Sequence, residues 1–568
     1  MDTLQSRLLV IGLDGATFDL ITPWVQDGRL PHLARLIKTG CSGPLRSTIQ
    51  PTTAPAWTTF LTGVNQGKHG LYDFVTRRQD SYNLEITSAA HIKAPSIFDF
   101  VGQQNGKVIG INIPYTAPAR PVNGVLIGGP FAPAVTPELF FPRYYHEKIL
   151  RLVPGYFVLP DYNARAADPM ADYAQKLLTG IANREKIALH LMQNEPWDFF
   201  MIVFMATDEV QHTFWHCLNA PETSPEFRYR QTILQIYERL DAAVGRLMAA
   251  ATAATDATSL STFVVSDHGA GPFAWMINLN QWLANAGFLQ FRQDRTSAVQ
   301  QFKTGILKQT ALNYRRYVPG QWRAAVRARL GSERFDQVKG EFESALLTSN
   351  VIWEQTRAYA LGAGGNIYVN MAGREPGGLV EPGAAYEQVR QELIAELMTM
   401  RDPDSGQPMI KQVHRREELY SGSFLEQAPD LIIEWSNYAY WGRGQYDSQA
   451  PVFQKQRHLD FSDQPLTGSH RPEGILIASG PGIRQGGTIE GTTLLDLAPT
   501  LLGMLGIQAP EEMDGRFLTA LFDEAHAGNL QTLLNQINPT EVALPSDHQY
   551  TAEEEAIIAD HLRSLGYL

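Results

Sequence analysis

The sequence predicts a large α/β enzyme with a central, mostly parallel sheet, and three observations predict it. Short uninterrupted apolar runs recur at residues 8–13, 108–113, 199–204, 262–265 and 475–478. Helical patterns lie between them, as in Ile233, Ile236, Tyr237, Leu240, Val244 and Leu247. Most of the runs end in polar residues: Asp14 after the first, Thr207 and Asp208 after the third, Ser266, Asp267 and His268 after the fourth. Continuous apolar strands alternating with amphipathic helices mark a parallel sheet covered on both faces. Ligands of such sheets bind at the carboxyl ends of the strands, where these polar residues fall.

Length and composition bound the rest. At about 150 residues per domain, 568 residues make room for about four domains or one large α/β unit with insertions. With 44% hydrophobic residues, 47 Gly and 34 Pro, the chain is neither disordered nor collagenous. A formal charge of −12 argues against a general polyanion binder, so no nucleic acid polymer is expected as partner. Cys41 and Cys217 are too few for a disulfide framework or a four-cysteine metal site and read as buried thiols. The N-terminus runs into the first strand without a charged leader or cleavage-like site. No run reaches the roughly 18 apolar residues of a membrane helix. A soluble cytoplasmic enzyme is the expected class.

The chain divides into a first core segment over 1–284, a helical insertion and cap over 285–460, a closing core segment over 461–524, and a tail over 525–568 with a helix from about 552 to 565. Within the insertion, residues 291–340 hold eleven basic residues against three acidic ones, a local excess of eight positive charges. A basic helix can attract anionic substrates or a membrane surface. The reading preferred here is a solvated face that balances an acidic body.

Asp and His gather at strand ends in a way core packing does not require. Asp208 and His212 are four apart and share one face if a helix begins there. Asp267 and His268 are neighbours in a loop, Asp14 closes the first strand, and His470 sits in Thr-Gly-Ser-His-Arg-Pro. Mixed carboxylate and imidazole ligands suit zinc or manganese rather than calcium. His216, four residues beyond His212, reads as structural rather than as a ligand.

Taken in order, Asp14, then Pro-Thr-Thr-Ala-Pro-Ala-Trp-Thr-Thr-Phe-Leu-Thr-Gly at 51–63, Asp208-x-x-x-His212, Asp267-His268-Gly269 and His470 resemble the alkaline phosphatase superfamily. Within it the chain resembles the type I phosphodiesterase/nucleotide pyrophosphatase family, over about 8–283 and again over 465–520. The second stretch includes Leu-Leu-Asp-Leu-Ala-Pro-Thr-Leu at 494–501 and Met-Asp-Gly at 513–515. The resemblance implies an alkaline-phosphatase-like three-layer sandwich with two divalent metal ions. One ion would take Asp208, His212 and His470; the other would take Asp14, Asp267, His268 and the oxygen of the nucleophile. Two cations about 3.5–4 Å apart can stabilise the attacking and leaving oxygens of an in-line displacement.

Family members place the nucleophile two residues before a proline and eight before Leu-Thr-Gly. Thr53 meets both conditions and Thr52 neither, so the resemblance implies a phosphothreonine at Thr53. Pro55 is placed to open a helix whose first amides could hold a phosphoryl oxygen. The string Ser42-Gly43-Pro44-Leu45-Arg46 matches a sulfatase pattern but lacks Leu-Thr-Gly at the required distance, and Trp57 stands where a sulfatase has arginine. The chain departs from the family after His69-Gly70: Phe74 stands where nucleotide pyrophosphatases have an asparagine that contacts the phosphoryl group. Lys68 or a backbone amide at the helix start is the expected substitute. The implied activity is hydrolysis of a small-molecule phosphate ester, most readily a diester. A phosphotransferase or mutase, a phosphomonoesterase, and an inactive metal-containing binding protein are the alternatives.

Overall fold

The computed structural model describes residues 6–78, 80–132, 134–254, 259–292, 348, 350–455 and 464–536, with 542, 555, 557–559 and 562 in the tail. All five apolar runs form strands of one ten-stranded sheet. Its centre is parallel, in the order Leu260–Val265, Arg7–Leu13, Phe199–Phe204, Val108–Ile113, Gly124–Gly128. Glu473–Ser479 adds antiparallel to the first of these, and Cys41–Arg46 pairs antiparallel with it in turn. The sulfatase-like string is therefore a strand. Its Pro44, which has no N–H to give, lies between the short neighbours Gly487–Thr488 and Thr492–Thr493 that pair on either side of it.

The first strand shows why these runs are continuous. Leu9, Ile11 and Leu13 point into one core and Leu8 and Val10 into another, none more than 1% exposed. Each such residue contributes about 1.5–3 kcal/mol by leaving water. Helices Pro169–Asn194 and Thr232–Ala254 cover the first face through Ile187, Leu191, Ile236, Leu240, Val244 and Leu247. Thr53–Thr62, Ile97–Gln103 and Leu497–Met504 cover the second through Trp57, Phe60, Phe100 and Leu501. The result is the three-layer α/β sandwich.

A third core lies over the carboxyl end of this sheet. It joins a four-stranded antiparallel sheet of Ala358–Ala360, Asn366–Val369, Leu431–Trp435 and Ile410–Arg415 to a second sheet built on Trp275–Asn278 and Tyr440–Arg443. The basic insertion falls almost wholly outside the described residues. In the tail, the described residues 555, 557–559 and 562 are helical, and Glu555 pairs with Arg78 at 3.0 Å. Among the described residues no helix is long and apolar enough to cross a membrane.

Asp73 ties this third core to the segment that follows helix Thr53–Thr62. Its carboxylate accepts from the amides of Phe74 (2.6 Å) and Ala363 (2.9 Å) and from Asn366 Nδ2 (2.9 Å). Burial nevertheless pushes its carboxyl up to about 7, against these three bonds. A folded-state value above the unfolded one means stability that is complete below pH ~4 and lost as pH rises through 7. The stability of the wild type relative to Asp73→Asn, in which all other titrations cancel, should fall by about 2–3 kcal/mol between pH 5 and pH 8. Denaturant unfolding of both proteins at the two pH values measures it, and a difference independent of pH would refute the shift.

Candidate active site

Three adjacent parallel strands deliver the acids. Asp14 follows Arg7–Leu13, Asp267 follows Leu260–Val265, and Asp208 lies in helix Ala206–Phe214, which begins just past Phe199–Phe204. That helix places His212 one turn after Asp208. His470 arrives on the short strand Gly468–Arg471, which pairs with Gly269–Pro272 just beyond His268. All six side chains are buried, His212 being the most exposed at 7%.

They form two groups: Asp208 with His212 and His470, and Asp14 with Asp267 and His268. In the first, Asp208 Oδ1 lies 3.3 Å from His212 Nε2 and 3.4 Å from His470 Nε2. In the second, His268 Nε2 lies 3.6 Å from Asp14 Oδ1 and 3.3 Å from Asp267 Oδ2. Ligands held about 2.0–2.1 Å from a tetrahedral centre are about 3.3–3.4 Å apart, so these separations fit a shared cation.

The imidazole tautomers make the same point. His212 Nδ1 faces the Gly468 carbonyl at 2.9 Å, His470 Nδ1 that of Pro51 at 2.7 Å, and His268 Nδ1 that of Gly269 at 3.0 Å. Each carbonyl only accepts, so each Nδ1 carries the proton and each Nε2 presents a lone pair to the site. His212 Nε2 and His470 Nε2 are nevertheless 2.9 Å apart. Such a contact needs positive charge between the rings, either an extra proton or a metal ion that also takes Asp208.

The electrostatics agree for all but His212, where burial opposes charge but Asp208 outweighs it and raises the imidazole above its usual value. Burial, then the charges of Asp267 and Asp208, raises the Asp14 carboxyl well above the usual range. Burial and then Asp208 do the same to Asp267. Burial opposes charge on Asp208 too, but His212 and His470 outweigh it and hold that carboxyl well below its usual value. Burial keeps His268 and His470 towards the neutral form, the form that binds metal. Asp14 Oδ1 and Asp267 Oδ2 are buried with no hydrogen-bond partner. Buried carboxylate oxygens without partners are costly unless a cation takes them.

Thr53 is the first residue of helix Thr53–Thr62, and its Oγ1 lies 3.5 Å from His268 Nε2, at the edge of the second group. Pro55 is the third helical residue rather than the first. His216 lies beyond the α-helix, its ring on Thr467 Oγ1 at 3.1 Å. Lys68, offered by the sequence as a source of charge for the phosphoryl group, is instead paired with Asp514 and the Glu512 carbonyl. Phe74 is fully buried against Phe131 and Tyr115.

Sequence reasoning missed Trp57. Its indole N–H donates to Asp14 Oδ2 at 2.7 Å, while the Gly15 amide donates to Asp267 Oδ1 at 3.2 Å. The signal was Gly12, alone among branched apolar residues in the first strand. A Cβ there would meet the Trp57 ring at 2.6 Å, so glycine lets the indole lie against the strand and reach Asp14.

The model of the type I phosphodiesterase/nucleotide pyrophosphatase family matches residues 8–458, a span that holds every residue of the two groups except His470. A sequence comparison with curated proteins finds no match. In structure the chain is similar to human ectonucleotide pyrophosphatase/phosphodiesterase 5, with a TM-score of 0.46 and 13% identity over 91% of this chain and 100% of that one. It is also similar to phosphonoacetate hydrolase from Sinorhizobium meliloti, with a TM-score of 0.45 and 15% identity over 87% of this chain and 94% of that one.

Trp57→Phe keeps an aromatic ring in the core but removes the indole N–H that orients Asp14, together with part of the bicycle. Loss of such a supporting bond should weaken metal affinity at that group by about 10–100-fold and leave the Asp208 group intact. Chelator competition with two resolved release steps would show it; equal weakening of both steps would contradict it.

Proposed function

Because the chain belongs to the type I phosphodiesterase/nucleotide pyrophosphatase family, we propose that it hydrolyses small-molecule phosphoric diesters through a covalent phosphothreonine at Thr53, beside two divalent cations. The observation that carries this reading is the hydroxyl of Thr53 at 3.5 Å from His268 Nε2, beside two groups of buried ligand atoms with cation-compatible separations. Asp208, His212 and His470 would hold one ion; Asp14, Asp267, His268 and the Thr53 oxygen would hold the other. Zinc or manganese suits these donors. Ions so placed would lower the pKa of the attacking hydroxyl and neutralise charge on the attacking and leaving oxygens.

The chain's own residues do the rest. Thr53 gives up its proton and its Oγ1 attacks phosphorus in line with the departing alkoxide, which leaves as the alcohol. Water then cleaves the Thr53–phosphorus bond, which releases the phosphate monoester and returns the hydroxyl. The start of helix Thr53–Thr62 leaves the amides of Thr53 and Ala54 without intrahelical acceptors, available to a phosphoryl oxygen. Trp57 and Gly15 keep Asp14 and Asp267 oriented throughout.

Thr53→Ala removes the nucleophile but none of the six other ligands. Elemental analysis should still find close to two ions per chain, while turnover of an alkyl p-nitrophenyl diester falls by about 10⁴-fold or more. Thr53→Ser should keep part of it. An alanine variant with full activity would move the nucleophile elsewhere.

Diesters should also be cleaved faster than monoesters. A monoester carries one more charge and one more free oxygen, which call for further cations, whereas Lys68 is paired with Asp514 and Phe74 is apolar. Catalytic efficiencies on matched p-nitrophenyl esters decide this; a tenfold monoester preference, about 1.4 kcal/mol, would reverse the assignment.

A further inference from the structure

Thr52, immediately before the nucleophile, is the N-cap of the ten-residue helix Thr53–Thr62, with extended backbone at φ −112° and ψ 141°. From this position a threonine hydroxyl ordinarily accepts from the second or third amide of the helix. The third residue here is Pro55, which has no N–H, and the Thr52 side chain makes no capping bond. Its Oγ1 is buried without any hydrogen-bond partner, in a residue only 1% exposed. A buried hydroxyl left unsatisfied is destabilising.

Among the described residues, the buried oxygens without hydrogen-bond partners include Asp14 Oδ1, Asp267 Oδ2 and Thr52 Oγ1. The first two are accounted for by a cation. The third is a hydroxyl, and what suits it is an acceptor that arrives from outside. It stands at the mouth of the helix, beside the free amides of Thr53 and Ala54. The side-chain amide expected to contact the phosphoryl group is replaced by Phe74, which is fully buried in an aromatic cluster with Tyr115 and Phe131.

We propose that Thr52 is a catalytic residue whose hydroxyl donates a hydrogen bond to a non-bridging phosphoryl oxygen, the contact that Phe74 does not make. The proposal rests on the Thr53 reading above and deepens it by naming a further residue that touches the substrate. A hydroxyl and two amides are all neutral donors, matched to the single negative charge of a phosphodiester rather than the two of a monoester. Such donors act most strongly on the charge that builds up on the phosphoryl oxygens in the transition state.

The test compares Thr52→Val, which keeps the shape and loses the hydroxyl, with Thr52→Ser, which keeps the hydroxyl, using metal-loaded full-length protein. For an alkyl p-nitrophenyl diester, Thr52→Val should lower kcat/KM by about 10²-fold, and Thr52→Ser should stay close to wild type. Inhibition by orthovanadate, a mimic of the five-coordinate phosphorus, should weaken in parallel in Thr52→Val only, with metal content unchanged. If Thr52→Val does not fold, Thr52→Ala carries the same measurements. Wild-type kinetics in the hydroxyl-free variant overturn the proposal, as does a rate loss with unchanged vanadate affinity or with loss of metal. Thr53→Ala run beside them separates the two readings: an inactive Thr53→Ala with a fully active Thr52→Val sinks only the role of Thr52, whereas an active Thr53→Ala sinks the nucleophile and this proposal with it.

Discussion

Six ionisable side chains share a pocket almost closed to water, and keeping their charges and lone pairs compatible governs the structure around them. Burial in a poorly polarisable interior, and then repulsion among the three carboxylates, makes Asp14 and Asp267 resist ionisation. Three imidazoles are turned by backbone carbonyls so that their unprotonated nitrogens face the same space. Neither arrangement is stable by side-chain preference alone. Both are imposed by backbone held in a sheet, and both are relieved by the same thing, positive charge at the centre.

The loop that leads into Thr53, the proposed nucleophile, is held from two sides. The Pro51 carbonyl accepts from His470, and Gln50 donates through its side-chain amide to the Ile433 carbonyl in the sheet above. The Thr52 amide closes the turn on the Gln50 carbonyl at 2.9 Å. Gly364 and Gly365, both with positive φ, let the upper sheet come close to Gln50, where a Cβ would lie 2.6 Å and 3.0 Å from its side-chain amide. Residues that serve the chemistry are thus clamped between the core and its cover, so that orientation is settled before substrate arrives. Asp73 repeats the pattern one helix later, where it reaches Ala363 and Asn366.

Much of this was legible in the sequence because burial on both faces writes an uninterrupted apolar run. All five runs are strands, and Asp14, Asp208 and Asp267 stand out as the first charges after three of them. His470 was legible only through resemblance: its strand is four residues of Gly-Ser-His-Arg, too short and polar to show a period, and its pairing with Gly269–Pro272 is a tertiary fact. Trp57 was read for its place in a motif, whereas its role depends on Gly12 in another element, a contact no local pattern encodes. Lys68 failed as a phosphate contact for the same reason, since the partner that takes it, Asp514, lies 446 residues away. The cover, with two small sheets joined by long connections, has mixed periodicity, and the preference for a helical insertion there lies on residues outside those described.

The order of strands has a consequence for how the protein is made. Glu473–Ser479 is among the last strands of the sheet to leave the ribosome, yet it lies between Cys41–Arg46 and Leu260–Val265, which were synthesised hundreds of residues earlier. Until it inserts, the flank of Leu260–Val265 and that of Cys41–Arg46 are bare edges, with backbone groups open to any extended chain nearby. His470 lies just ahead of the same strand, so the group it shares with Asp208 and His212 cannot close before the sheet does. Nascent and truncated chains would therefore combine the greatest tendency to aggregate with an incomplete Asp208–His212–His470 group. One late strand resolves both.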